Sequence, residues 1–339
     1  MAMPFLLLYG AYFAWRFSYY GDLLPNTFYA KASDPSLERL ARGASLLATA
    51  AGEAGLYPLL ALALFAFIPS PRCRAVQLAR LWAAVVLLGT FAYFAMIGGD
   101  FMAFFGPRLL LPALPALYVL ACLGIIRLLP PPDLGRSAIL GGMSTLLILY
   151  VLVYSWPARF SRLEGQALQI RAWSHLGTWL GDTTPRYATV ATGAAGAMAY
   201  FSRRATYDMY GLTDRHIAHL RVPAAKGGPP AHEKYDPAYI LEKRPDVIVS
   251  TDVDPSGTPV SAGLAIVAEE MAACYRLQAV VRSRRGAPSP PNAWIVYTER
   301  YSRDLFAQGY RTAVYVLRRG PEAESCPLSR VNSLAPTTR

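Results

Sequence analysis

The chain has only four cysteines, none spaced as C-x-x-C, only four histidines, and no G-x-G-x-x-G fingerprint. These absences argue against a cysteine metal site, a disulfide framework and the full dinucleotide-binding fingerprint. Charged residues are few, 16% of 339, and acids are the scarcer sign: 22 Asp and Glu against 33 Lys and Arg, a net charge of +11. A basic, acid-poor chain suits anionic lipid, lipid-linked phosphate or nucleic acid. Nucleic acid fits least, because the basic residues are scattered and no recognition motif surrounds them. Neither a Ser-His-Asp nor a Cys-His arrangement can be read, and no internal repeat is visible.

What the sequence has in excess is apolar residues, 54% of the total, concentrated in the first half. Both halves are basic, +4 before Trp156 and +7 from there on. Lipid offers no partner to an exposed backbone, so a spanning segment must be a helix of about 20 mostly apolar residues. Charge-free runs occur at 54–71, 81–99, 109–126 and 137–158, and a shorter one precedes Arg16. Read as spans, they predict about five transmembrane helices near 2–15, 50–70, 81–99, 109–126 and 137–157, in a membrane domain covering 1–158. The first span has no basic residue ahead of it and no small-residue cleavage site after it, so it reads as an anchor and not a signal peptide. Loop charges leave orientation open: Arg16, Lys31, Arg39, Arg42 and Arg108 fall on one side, Arg72, Arg74, Arg80, Arg127 and Arg136 on the other.

From Ser161 the pattern becomes that of an amphipathic helix, with Leu163, Leu168, Ile170, Trp173, Leu176 and Leu180 at three- and four-residue steps, ended by Pro185. Short β-rich runs follow at 187–192, 206–210, 247–250, 275–281, 294–298 and 313–317. Helical stretches separate several of them, so a small α/β domain is expected over 159–320, with a mobile tail at 321–339. Pro/Gly-rich runs at 223–230 and 286–291 read as surface loops. Cys73 falls in a loop and Cys122 in an apolar helix. Cys274 and Cys326 share the second half, where an oxidising compartment would let them pair as a disulfide.

Several groups could carry chemistry, each with a plainer reading beside it. In YYGDLLPNTFYAK, Tyr20, Asp22, Asn26 and Lys31 combine a stacking ring, a carboxylate, an amide and a cation, which suits a sugar phosphate. The same residues suit an interfacial aromatic belt with Asp22 and Asn26 as caps. Asp100 and Arg108 bracket an apolar turn and read either as a functional pair at a membrane surface or as a structural ion pair. Gly193-Ala194-Ala195-Gly196 resembles a phosphate-binding turn without its full glycine pattern. Asp208, Gly211, Asp214, His216 and His219 cluster in the second half, with His232, Glu233, Lys234, Tyr235 and Asp236 further on; metal ligation would need them to converge, and caps and loops are the commoner use of such residues. Asp252 and Asp254 form an acid pair among turn formers. No metal site and no cofactor are expected, and a need for a divalent cation stays open.

The stretches YYGDLLPNTFYAK, GGDFMAFFGPRLLLPALP, DMYGLTDRHIAHL and HEKYDPAYILEKRPDVIV, in this order, resemble the C-terminal part of a bacterial membrane glycosyltransferase family of the GT-C superfamily, which includes the mycobacterial terminal arabinofuranosyltransferases and the proteins called ZomB. The resemblance runs from about Arg16 to Arg319. It implies a multi-pass protein of the cytoplasmic membrane with an extracytoplasmic α/β domain, a lipid bilayer around it, a polyprenyl-phosphate sugar as donor and an envelope glycan as acceptor. It places Asp22, Asn26, Lys31, Asp100 and Arg108 on the outer face. In such enzymes the catalytic carboxylate lies in an earlier outer loop, so the resemblance implies a missing N-terminal portion. It leaves Asp22 and Asp100 as binding residues. A non-catalytic membrane protein whose outer domain binds glycan or a protein partner is the alternative.

Overall fold

The computed structural model describes residues 3–32, 36–68, 74–100, 108–129, 134–150, 153, 156–222, 229–283, 294–317 and 326. Cys73, residues 101–107, most of the Pro/Gly-rich runs and the tail apart from Cys326 lie outside this set.

The first half is helical: α1 (Met3–Tyr20), α2 (Asn26–Ala32), α3 (Leu37–Glu53), α4 (Tyr57–Phe65), α5 (Arg74–Met96), α6 (Ala113–Leu128) and α7 (Leu134–Tyr150). Five membrane spans do not result. Among the described residues only α5 is both long and apolar enough to cross a bilayer; α3 with α4 would add a second if the bent pair counts as one span. Charge-free runs overcounted because they ignore where the backbone breaks. The run at 54–71 contains Gly55 and Pro58, and α3 and α4 meet there at 97°. Pro112 delays α6 until Ala113, which leaves 16 residues, short of the roughly 20 a hydrocarbon core requires. α7 has 17 residues. α1 is long enough, but Arg16 and its many tyrosines keep it out of the apolar class.

α4, α5 and α6 pack on one another around Ala63, Leu87, Leu117 and Leu120. α1 buries none of its residues, and Phe5, Leu7, Leu8 and Trp15 are all more than half exposed.

α8 (Trp156–Thr183) leads into a six-stranded mixed sheet: β1 (Thr189–Thr192), β2 (Ala205–Asp208), β3 (Val247–Ser250), β4 (Tyr275–Arg282), β5 (Ile295–Tyr297) and β6 (Tyr310–Leu317). The six strands lie within a few residues of the six β-rich runs. Their spatial order is β2-β1-β3-β6-β4-β5. β1 runs parallel to both β2 and β3, while β6, β4 and β5 continue antiparallel. β3 is apolar apart from Ser250 and buried at all four positions, as a central strand covered on both faces must be. One face packs on α8 through Ala172, Leu176 and Leu180, with Met198 of α9 (Ala197–Ser202) beside them. Each leucine so buried contributes on the order of 1.5–3 kcal/mol. The other face is covered by α10 (Arg215–Ala218), α11 (Pro237–Glu242) and α12 (Ala268–Cys274), through Ile217, Ile240, Leu241 and Met271. Cys274 is joined to Cys326 by a disulfide, which ties residue 326 to this side of the core.

Candidate functional site

The residues of greatest chemical interest meet where the helical half touches the α/β domain. After α5 the chain reverses through Gly98 and Gly99, whose φ values of +77° and +86° lie in the region that glycine enters freely. Gly98 has no room for a side chain: an added Cβ would sit 2.5 Å from Arg39 Cγ and 2.7 Å from Arg42 Nη2. Those two arginines lie on the first turns of α3, which begins where the Ser36 hydroxyl accepts the Arg39 N–H at 3.1 Å. The Gly98 carbonyl accepts Arg42 Nε at 3.3 Å.

Two residues further on, Asp100 has a fully buried carboxylate. It accepts Arg108 Nε at 2.7 Å and lies 4.0 Å from Lys31 Nζ. Burial is the main cause that lowers the Lys31 pKa, and Arg108 adds to it, while Asp100 and Glu233 oppose it. Arg39 is 1% exposed, and its Nε and Nη1 have no hydrogen-bond partner among the described residues. An unpaired buried guanidinium is costly, and an anion would compensate it.

The α/β domain brings His232, Glu233 and Lys234 to this side of the helical half. Glu233, 1% exposed, pairs with Arg42. Lys234 is equally buried and donates to the carbonyls of Tyr29 and Ala218, both at 2.9 Å. Burial holds the His232 pKa below its ordinary value, with the charge of Lys31 second, so this ring is neutral at pH 7. The niche therefore gathers Lys31, Arg39, Arg42 and Arg108 against the carboxylates Asp100 and Glu233. Its net positive charge suits an anion with several oxygens.

Beside the niche, a second set of contacts latches the halves together. Asp22 pairs with Arg215 at 3.1 Å and stands 3.8 Å from His219 Nε2. The amide nitrogen of Asn26 approaches the carbonyls of Gly211, Leu212 and Asp214 at 2.8, 3.2 and 3.2 Å. Tyr29 stacks on His219 with centroids 4.3 Å apart. Asp214 caps α10 by accepting the Ile217 N–H, and also accepts the Tyr239 hydroxyl at 3.2 Å. Burial and the Asp214 carboxylate push that hydroxyl up to about 12. Asp236 caps α11 and meets His216 Nε2 at 3.0 Å.

Of the residues singled out from sequence, Asp22, Asn26, Lys31, Asp100, Arg108, Asp214, His232 and Lys234 are thus brought to one junction. Tyr20 is not; it lies exposed at the end of α1, edge-on to Tyr19. Asp208 closes its own loop, accepting the N–H groups of Tyr210 and Thr213. Thr192 closes the turn at 193–196 through the Ala194 N–H, and the six-residue α9 that follows is too short to act as an anion site. Asp254 is spent on a turn with Ser256 and Thr258, and the Ser256 hydroxyl is the main cause that lowers its pKa. Among the described residues no three His, Cys, Asp or Glu side chains converge as metal ligands. The sequence reading missed Arg39 and Arg42 as site residues. Their three-residue spacing on an amphipathic helix is the available signal, whereas the sequence alone reads them as loop charges.

Neither the curated proteins nor the solved structures contain a match to this chain. Residues 160–315, which cover most of α8 and nearly all of the sheet, match the family described as a domain of unknown function (DUF8728).

Proposed function

We propose that the chain takes part in glycosyl transfer at a membrane surface, as the part that binds the phosphate end of a polyprenyl-phosphate sugar. The observation that carries this reading is the niche itself: four cations around two buried carboxylates, with two nitrogens of buried Arg39 unpaired among the described residues. A lipid-linked phosphate would supply the missing anion. The apolar span α5 and the exposed apolar residues of α1 fit a bilayer beside the niche. The Cys274–Cys326 disulfide fits an α/β domain in an oxidising, extracytoplasmic compartment, where an envelope glycan would be the acceptor.

Binding without proton transfer is the reading best supported for Asp22 and Asp100. Asp22 is engaged by Arg215, and Asp100 by Arg108 and Lys31, so both carboxylates are committed to cations. A general base needs an acceptor hydroxyl within reach and a lone pair to take its proton. The test is co-purification with, and exchange of, a radiolabelled polyprenyl-phosphate sugar on the detergent-solubilised chain. Retention of the phosphate lipid but not of the matching polyprenol supports the reading; equal retention of both contradicts it.

A further inference from the structure

A second site lies on the α/β domain, in an open cleft of about 1150 Å³ that shares no residue with the junction niche. One wall is the C-terminal end of α8 with the turn that follows, carrying Asp182 and Arg186; the other is the end of α9, with Tyr200, Phe201 and Arg203. α8 and α9 cross closely because Gly177 and Gly181 stand where any Cβ would press on Phe201 and Ser202. This crossing fixes the aromatic end of α9 against the cleft. Tyr200 is 77% exposed and meets Phe201 edge-on, with centroids 5.1 Å apart.

Arg203 ends α9 in the left-handed conformation, φ 53° and ψ 35°. Glycine is the usual residue at such a helix end, because a Cβ there is strained. Here an arginine occupies the position, and its guanidinium has no partner among the described residues, nor does that of Arg186. Arg204 differs: its guanidinium is spent on the carbonyls of Gly181, Thr184 and Ser202. The cleft thus presents two exposed aromatic rings, Tyr200 and Phe201, two uncommitted guanidinium forks and one carboxylate.

We propose that this cleft binds an acidic oligosaccharide, with a sugar ring stacked on Tyr200 and its carboxylates paired with Arg186 and Arg203. The chemistry is that of general carbohydrate and carboxylate recognition: the apolar face of a sugar ring lies on an aromatic ring, and a guanidinium fork matches a carboxylate in two hydrogen bonds. The concave shape favours a chain-like ligand over a flat lipid surface. The absence of a glycine-rich loop at the cleft argues against a nucleotide.

The test is calorimetric titration of the full chain in detergent with tetragalacturonate, and with maltotetraose as a neutral tetrasaccharide of equal length. Tetragalacturonate is expected to bind at least about tenfold more tightly. Arg203→Gly is the decisive variant, because it places the favoured residue at the helix end. The unfolding midpoint should hold or rise while affinity falls about tenfold. Tyr200→Ala should weaken binding to a similar degree. The proposal is overturned if tetragalacturonate does not bind, if maltotetraose binds equally well, or if both variants bind as the parent does, as the net charge of +11 alone would produce. It is equally overturned if Arg203→Gly abolishes binding only to phosphatidylglycerol vesicles, which would make the cleft a lipid contact.

Discussion

Replacing Asp100 by alanine should destabilise the junction, and the structure indicates by how much. The carboxylate is fully buried and lies against two cations, Arg108 Nε at 2.7 Å and Lys31 Nζ at 4.0 Å. Removing one member of a buried pair costs about 3–5 kcal/mol, because the remaining charge is left uncompensated. Arg108 is half exposed and can turn to solvent, which lowers its share. Lys31 is only 15% exposed and has no such escape. The expected loss is about 3 kcal/mol. Asp100→Asn, which keeps an acceptor for Arg108, should lose roughly half of that. Adding Lys31→Met to Asp100→Ala should recover about 1–2 kcal/mol as a coupling term. The assay is denaturant unfolding of the detergent-solubilised chain, followed by hydrogen exchange in residues 208–236. A loss within about 0.5 kcal/mol for Asp100→Ala, the size of an ordinary surface change, would refute this reasoning.

Gly98→Ala should cost about 2–4 kcal/mol, from positive-φ strain plus displacement of Arg39 and Arg42; Gly141→Ala, where nothing lies within 4 Å, serves as the control in the same unfolding assay. His232 has a folded pKa below its unfolded value near 6.5, so between those two values the unfolded chain holds more protons and stability rises with pH. Acidifying from pH 7 through 6.5 toward the folded value should therefore lose stability, and His232→Gln should remove that part of the pH dependence in thermal melts. Cys326→Ser opens a cross-link spanning 52 residues and should cost about 2–4 kcal/mol, read as lower unfolding free energy and faster hydrogen exchange in α12.

The α/β half was legible because its signals are local. A buried central strand such as β3 reads as an unbroken β-branched run from Val247 to Val249, and α8 buries the later part of its expected stripe, Leu176 and Leu180 with Trp173 beside them, while Leu163 and Ile170 are exposed. The helical half was misread for a reason that is also local. A charge count registers the cost of burying ions but not a bend, and Gly55, Pro58 and Pro112 break the helices that the count had joined into full spans. The junction was partly legible: Lys31, Asp100 and Arg108 stood out as ionisable groups beside apolar runs. Arg39 did not, since nothing in the sequence says that a charge three residues into an amphipathic helix is 1% exposed. Its burial comes from the Gly98 turn, 59 residues away, and only the fold shows that contact.

The central claim is that the niche around Lys31, Arg39, Arg42 and Arg108 holds the phosphate of a lipid-linked sugar. The most direct measurement is a phosphorus NMR titration of a short-chain polyprenyl phosphate with the purified chain, compared with Lys31→Ala, Arg39→Met and Arg108→Ala. The account predicts a saturable shift of the phosphate resonance with the parent chain and affinity at least about tenfold weaker in each variant. A phosphate resonance that does not move, or that moves equally with all four proteins, would contradict it.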